Sequence, residues 1–222
     1  MTTLAIVGAG RGLGAAVARR FAREGFAVAL ISRNRKHVDA LASDLAAEGI
    51  SAAGFVANVR EPASIAAALE AATEKLGPIE VLQYSPLPQK DFMRPVLETT
   101  PADLVGPVEF SIFGPVAAVH QVVPGMRFLG GGSILFVNGG TAVKPVGRLA
   151  GTSIAFAGQS AFATMLHDEL AGDDIHVAQL IIPGSIDENH PQKNPAALAD
   201  LLWNMHKERN EFRTYATELD AD

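Results

Sequence analysis

The sequence predicts a single doubly wound α/β domain, residues 1–222, with a mainly parallel sheet of six to seven strands and helices on both faces. Three observations predict it. Short runs rich in Val, Ile and Leu alternate with longer Ala-rich segments of helical character, and Gly or Pro marks the joins. The run Phe26 to Ile31 is apolar throughout rather than alternating, as a strand covered on both faces is. The 222 residues, 48% hydrophobic and 19% charged, are enough for one large core, and no linker or internal repeat divides them.

Leu4 to Val7 reads as the first strand. A helix from Gly12 to Glu24 follows and ends at Gly25, a residue suited to the left-handed cap. Phe26 to Ile31 is the second strand, Arg35 to Glu48 a helix closed by Gly49, and Ile50 to Ala57 the third strand. The helix Glu61 to Leu76 is stopped by Gly77-Pro78, and Ile79 to Gln83 is the fourth strand. Thr100 before Pro101, with Asp103 three positions after the threonine, marks an N-cap with proline at the first helical position. The helix it opens runs to about Arg127, and Gly106-Pro107 and Gly114-Pro115 predict kinks or a break in it. Strand Ser133 to Val137, helix Gly151 to Ala171, strand Ile175 to Ile182, helix Ala196 to Arg209 and a weak strand near Phe212 to Ala216 complete the order. Right-handed helical crossovers then make the sheet parallel.

Bulk properties exclude several functions. A formal net charge of -6 without basic clusters gives no footprint for nucleic acid. The absence of cysteine removes disulfides, Cys-ligated zinc, iron–sulfur clusters and thiol nucleophiles, and a reducing cytoplasm is the expected setting. No apolar run extends without interruption for the roughly 18 to 20 residues that span a bilayer, and Leu4-Ala5-Ile6-Val7 is too short for a signal-peptide core. Neither membrane nor secretion is expected.

The turn Gly8-Ala9-Gly10-Arg11-Gly12-Leu13-Gly14 lies between the first strand and the first helix. A helix N-terminus presents unpaired N–H groups and the positive end of its dipole, so an anion can sit there if the chain lets it approach. Gly8 can take the tight turn, Gly10 and Gly12 leave room for a pyrophosphate, and Gly14 lets the helix pack on the sheet. At the end of the second strand, where the adenosine ribose is read, stand Ser32, Arg33 and Asn34. A carboxylate there would favour NAD(H), whereas Arg33 can fork onto a 2′-phosphate, with Arg11 flanking it. NADP(H) is therefore the expected cofactor, with NAD(H) as the alternative. The plainer reading makes both arginines solvated surface charges.

With these residues in place the chain resembles a short-chain dehydrogenase/reductase, a Rossmann-type family, over nearly its whole length. The Gly-x-x-x-Gly-x-Gly pattern is Gly8, Gly12 and Gly14; Asp-Val at the end of the third strand is matched by Asn58-Val59; the Pro-Gly after the sixth strand is Pro183-Gly184, followed by Ser185-Ile186. The resemblance implies adenine beside Asn58 and Val59, and nicotinamide bordered by Pro183, Gly184 and Ile186. The family's fourth-strand motif is changed to Tyr84-Ser85-Pro86-Leu87, and Tyr84 and Ser85 are counted among the cofactor neighbours.

The family's catalytic tetrad is missing. Its asparagine position holds Ser111, its serine position falls at Asn138 or Gly139, its tyrosine is Ala155 and its lysine is Gln159. Carbonyl reduction needs a proton donor, and positioned general acids contribute about 10² to 10⁴ in rate. Alanine and glutamine supply none, although Gln159 can still hydrogen-bond a ribose hydroxyl. Tyr84 leads the replacement acids, with Lys144 second; their plainer readings are a packed tyrosine and a solvated loop lysine. Asp187, Glu188 and His190 form a short lid whose spacing is no metal motif, and His120 receives no chemistry. The small residues of the Gly151 to Ala171 helix suit a homodimer or homotetramer. Two functions stay open: an oxidoreductase acting on an unidentified carbonyl or alcohol with a non-standard proton donor, and a non-catalytic NADP(H)-binding sensor or regulatory protein.

Overall fold

Seven strands, all parallel, form one sheet in the order β3-β2-β1-β4-β5-β6-β7. The computed structural model describes residues 1–219. In chain order the elements are β1 (Thr3–Val7), α1 (Leu13–Ala22), β2 (Ala27–Ser32), α2 (Arg35–Ala47), β3 (Ala52–Val56), α3 (Pro62–Leu76) and β4 (Ile79–Tyr84). Then come α4 (Pro101–Val108), a π-helical segment (Glu109–Phe113), α5 (Gly114–Leu129), β5 (Gly132–Gly139), α6 (Ala150–Leu170), β6 (Ile175–Ile182), α7 (Pro195–Glu208) and β7 (Arg213–Tyr215).

Alternate residues of each strand face opposite sides of the sheet, so each strand feeds two cores. Leu4 and Ile6 of β1 join Val17 and Phe21 of α1, Leu41 and Leu45 of α2, and Leu198 and Leu202 of α7 on one face. Ala5 and Val7 join Ile65 and Leu69 of α3, Val119 and Val122 of α5, and Ala163 of α6 on the other. The expected architecture and the order of elements hold. The differences are local: β3 begins later than expected because Gly49 turns the chain at φ +81, and β5 runs on to Gly139 because it pairs with β6 as far as Ile182.

The long helix in the second half breaks where the prolines predict. Its start is capped as expected, with the Thr100 side chain accepting from the Asp103 N–H and the Asp103 carboxylate accepting from the Thr100 N–H. Pro115 has no N–H to give to the carbonyl four residues earlier, Ser111, and the Gly114 N–H donates five residues back, to Glu109, passing over the Phe110 carbonyl. The chain widens into the π-helical turn there, and both carbonyls are taken by side chains from elsewhere. By length and composition alone the helical stretch Pro101–Leu129 could cross a membrane, although Glu109 and Arg127 interrupt its apolar run. Its inner face nonetheless belongs to the core, with Phe110, Ala118, Val119, Val122, Val123 and Met126 all buried.

Candidate functional site

The glycine-rich turn sits at the C-terminal end of β1, where open α/β sheets place their ligands. Gly8 has φ +92, and a Cβ on it would lie 2.5 Å from the backbone N and Cα of Pro86. Its N–H and that of Ala9 both donate to the Ile31 carbonyl, at 2.9 and 3.0 Å, which draws the turn against the end of β2. A Cβ on Gly14 would come within 3.2 Å of the Ala9 backbone, so the start of α1 lies close under the turn. Gly10 and Gly12 differ: a Cβ on either would meet nothing within 4 Å. The ground in front of α1 is thus open. No side chain caps α1 and no acidic residue lies in its first turn; the Gly10 carbonyl takes the Ala15 N–H at 2.9 Å, and the positive end of the dipole faces that space without a competing anion.

Beside this turn, β2 ends at half-buried Ser32, whose carbonyl accepts the Ala57 N–H at 3.1 Å. Arg33 is exposed, and Asn34 caps α2 by accepting from the His37 N–H at 3.2 Å. Arg11 is exposed too, with Asp44 3.9 Å away, a spacing and exposure at which an ion pair holds a side chain only weakly. Sequence reasoning passed over Arg35 and Lys36, which make the first turn of α2 basic although the dipole disfavours cations there. Three basic residues within four positions, Arg33, Arg35 and Lys36 around Asn34, were the readable signal. Asn58 works inside the β3–α3 turn, accepting from the Arg60 N–H at 3.2 Å and donating to Glu61 at 2.7 Å, and Val59 is buried next to it. The Ser85 N–H donates to the Val7 carbonyl at 2.9 Å, which holds Ser85-Pro86 against Gly8.

At the other end of the crevice lie the residues that the sequence matches to the tetrad, and Ser111, Asn138 and Gln159 among them are joined by hydrogen bonds. Gln159 donates to the orphaned Ser111 carbonyl at 3.0 Å and accepts from Asn138 at 2.5 Å. Asn138 accepts from Gln179 at 2.8 Å, and the Gln179 oxygen accepts from Ser160 and Arg213, both at 2.9 Å. Each amide uses both its ends, and Ser111, Asn138, Ala155 and Gln159 are all at most 3% exposed. Of the two residues that the serine position falls on, Asn138 enters the network, whereas half-buried Gly139 has no side chain to bring to it. Two assignments are corrected here. Gln159 does not present its amide to a cofactor ribose; the carbonyl freed by Pro115 and the Asn138 amide claim it.

Tyr84, the leading replacement acid and an expected cofactor neighbour, does not face the crevice. It is 1% exposed and packs in the core with Phe136, its ring centroid 6.3 Å away, while its hydroxyl donates to the other orphaned carbonyl, Phe110, at 2.7 Å. Burial pushes its phenol far above the ordinary tyrosine range, so it does not titrate. Gly114 makes room for it, since a Cβ there would collide with the Tyr84 hydroxyl and lie 2.5 Å from the Val59 carbonyl. Tyr84→Phe leaves a buried carbonyl unpaired and is expected to cost about 1–3 kcal/mol of stability in chemical denaturation, with cofactor affinity unchanged.

The remaining positions line the far rim. Lys144 lies half-buried in the turn after β5, its N–H on the Gly140 carbonyl at 2.9 Å. Pro183 is buried, and Gly184, with φ +71, turns the chain into a lid in which Ile186, Asp187 and Glu188 are exposed. Among the described residues no group of three or more His, Asp or Glu is placed to hold a metal. His120 is exposed on α5.

A parallel doubly wound sheet with helices on both faces, whose first βα turn leaves a helix N-terminus without a side-chain cap behind small residues, has the architecture of the Rossmann type. The sequence profile described as short chain dehydrogenase matches residues 2–198, and the chain belongs to that family. It is 28% identical over 201 residues to dehydrogenase/reductase SDR family member 4 of Sus scrofa, covering 90% of this chain and 68% of that protein. A short-chain dehydrogenase from Rhodopseudomonas palustris superposes with a TM-score of 0.85 at 27% identity, covering 98% of both chains. L-sorbose reductase from Gluconobacter frateurii, solved with NADPH and L-sorbose, shares the fold at a TM-score of 0.86 and 21% identity, over 99% of this chain and 97% of that one.

Proposed function

We propose that this chain is an NADP(H)-binding oxidoreductase of the short-chain family whose proton comes from substrate or water and not from a phenol of the protein. The observation that carries the cofactor assignment is the basic run Arg33 to Lys36 at the end of β2, where an NAD-selective site has a carboxylate. The residues present fit a dinucleotide: the open ground at Gly10 and Gly12 with the uncapped α1 takes the diphosphate, and Arg11 and Arg33 take the 2′-phosphate. Ser32 and Asn34 border the ribose, Asn58 and Val59 the adenine, and Ser85, Pro183, Gly184 and Ile186 the nicotinamide half. Bound there, NADP(H) supplies hydride chemistry to an unidentified carbonyl or alcohol.

A specific observation favours a second reading, a non-catalytic sensor or regulatory protein. The tetrad positions are buried and their amides are committed to one another, so no side chain there exchanges protons with a substrate. Turnover separates the two. Incubated with NADPH and a panel of aldehydes, ketones and quinones, the protein is expected to oxidise NADPH slowly, and Tyr84→Phe is expected to retain that rate. Micromolar NADPH binding with no acceptor turned over would leave only the second reading.

The cytoplasm is the proposed setting, in keeping with the lack of cysteine. A homodimer or homotetramer is proposed as well, supported by Val105, Phe113, Ile154 and Met165, large apolar residues exposed along the α4–α5 stretch and α6.

A further inference from the structure

After Gly184 the chain forms a short, self-bonded loop before α7. The Asp187 N–H donates to the Lys193 carbonyl at 3.2 Å and ties the two ends of the loop together. His190 is its hub: Nδ1 accepts from the N–H groups of Gln192 and Lys193 at 3.1 and 3.2 Å, and its own N–H donates to the Asp187 carbonyl at 3.1 Å. The His190 carbonyl takes the N–H and the side-chain amide of Asn194, which also caps α7 by accepting from the Ala197 N–H. These bonds send the Lys193 side chain back over the end of β6. Its Nζ donates to the Pro183 carbonyl at 3.2 Å and would lie 3.6 Å from a Cβ on Gly184.

The position of that ammonium follows from the helices. α1 and α7 lie side by side on one face of the sheet, joined by Arg20 to Asp200 at 2.8 Å and by the rings of Phe21 and Trp203 at 5.1 Å. Each follows a strand of a parallel sheet, so the two helices run the same way and both begin at the crevice. Tracing both back from those contacts sets the start of α7 beside the Leu13 turn, at the roughly 8–10 Å separation of packed helices. Lys193 immediately precedes the cap of α7. The dipole disfavours a cation at that end of a helix, yet the loop's hydrogen bonds hold one there. An ammonium carries three hydrogens, and the Pro183 carbonyl uses one.

We propose that Lys193 is a further cofactor-binding cation, contacting the phosphate on the nicotinamide side of the NADP(H) diphosphate, with His190 as the positioning residue that aims it. The proposal rests on the dinucleotide reading of the crevice given above. It explains why a basic side chain is fixed over β6 in a lid that otherwise exposes Asp187 and Glu188.

Calorimetric titration with two ligands tests it. NADPH carries both diphosphate phosphates, whereas adenosine 2′,5′-bisphosphate has the 2′-phosphate and only the adenosine-side phosphate. Lys193→Gln is expected to weaken NADPH about tenfold, the effect of losing one charge-assisted hydrogen bond, and to leave the bisphosphate within about twofold. Lys193→Arg is expected to recover most of the loss, and His190→Ala to weaken NADPH in the same selective way. Unchanged NADPH affinity in Lys193→Gln overturns the proposal, as does an equal loss for both ligands, which would mean that the lid as a whole had been disturbed. Failure of the wild-type protein to bind either ligand brings down the dinucleotide reading and this proposal together; wild-type binding of both with no effect of Lys193→Gln brings down only the latter.

Discussion

Gln159→Leu is expected to lower the stability of the fold by about 4 kcal/mol and the melting temperature by about 10 °C. The size follows from what the substitution strands. Leucine has similar volume but no amide, so the Ser111 carbonyl loses the donor that Pro115 cannot be, and the Asn138 amide loses its acceptor. Both sites are shut from water, and a buried polar group left unpaired costs about 1–3 kcal/mol. The loss also propagates, because Asn138 is bonded to Gln179, and Gln179 to Ser160 and Arg213. Urea denaturation followed by circular dichroism measures it. A destabilisation below about 1 kcal/mol would mean that the network does not hold the region together. The stability cost is expected to exceed any effect on cofactor binding.

Arg33→Glu is expected to raise the Kd for NADPH about 100-fold and to leave NADH within about threefold. Removing a guanidinium from a phosphate forfeits a charge-assisted fork, and the new carboxylate repels the 2′-phosphate while accepting from a 2′-hydroxyl. Arg33 is exposed and carries no ion pair among the described residues, so its replacement does not disturb the fold, and the two affinities read the site alone. An equal loss for both dinucleotides would place Arg33 against the shared adenosine and not against the 2′-phosphate.

The succession of strands and helices along the chain and the glycine turn were legible because they depend on local rules: apolar runs, glycines where φ is positive, and proline at helix starts; the order of the strands within the sheet was not read from the sequence. The break in the long helix was legible for the same reason, since Gly114-Pro115 cannot continue an unbroken ladder. What Pro115 does to the site was not legible. The two carbonyls left over at the break are met by Tyr84, 26 residues from Phe110 in sequence, and by Gln159, 48 residues from Ser111. No periodicity links such partners. A tyrosine at the end of a central strand therefore suggested a catalytic acid, when the phenol is needed by a buried carbonyl. Likewise Lys193 and His190 sit in a polar stretch with no motif, and only the folded loop shows the lysine returning over Pro183. Arg35 and Lys36 were visible, but their meaning depends on their lying at the N-terminus of α2, where a cation gains nothing from the helix.

The central proposal is that the crevice behind Gly8 to Gly14 holds NADP(H) although Ser111, Asn138, Ala155 and Gln159, the residues matched to the tetrad, are buried. Isothermal titration of the unmodified protein with NADPH and with NADH, under the same salt conditions, tests it most directly. Micromolar binding of NADPH, at least tenfold tighter than NADH, is the predicted result; no binding of either dinucleotide, or tighter binding of NADH, would contradict it.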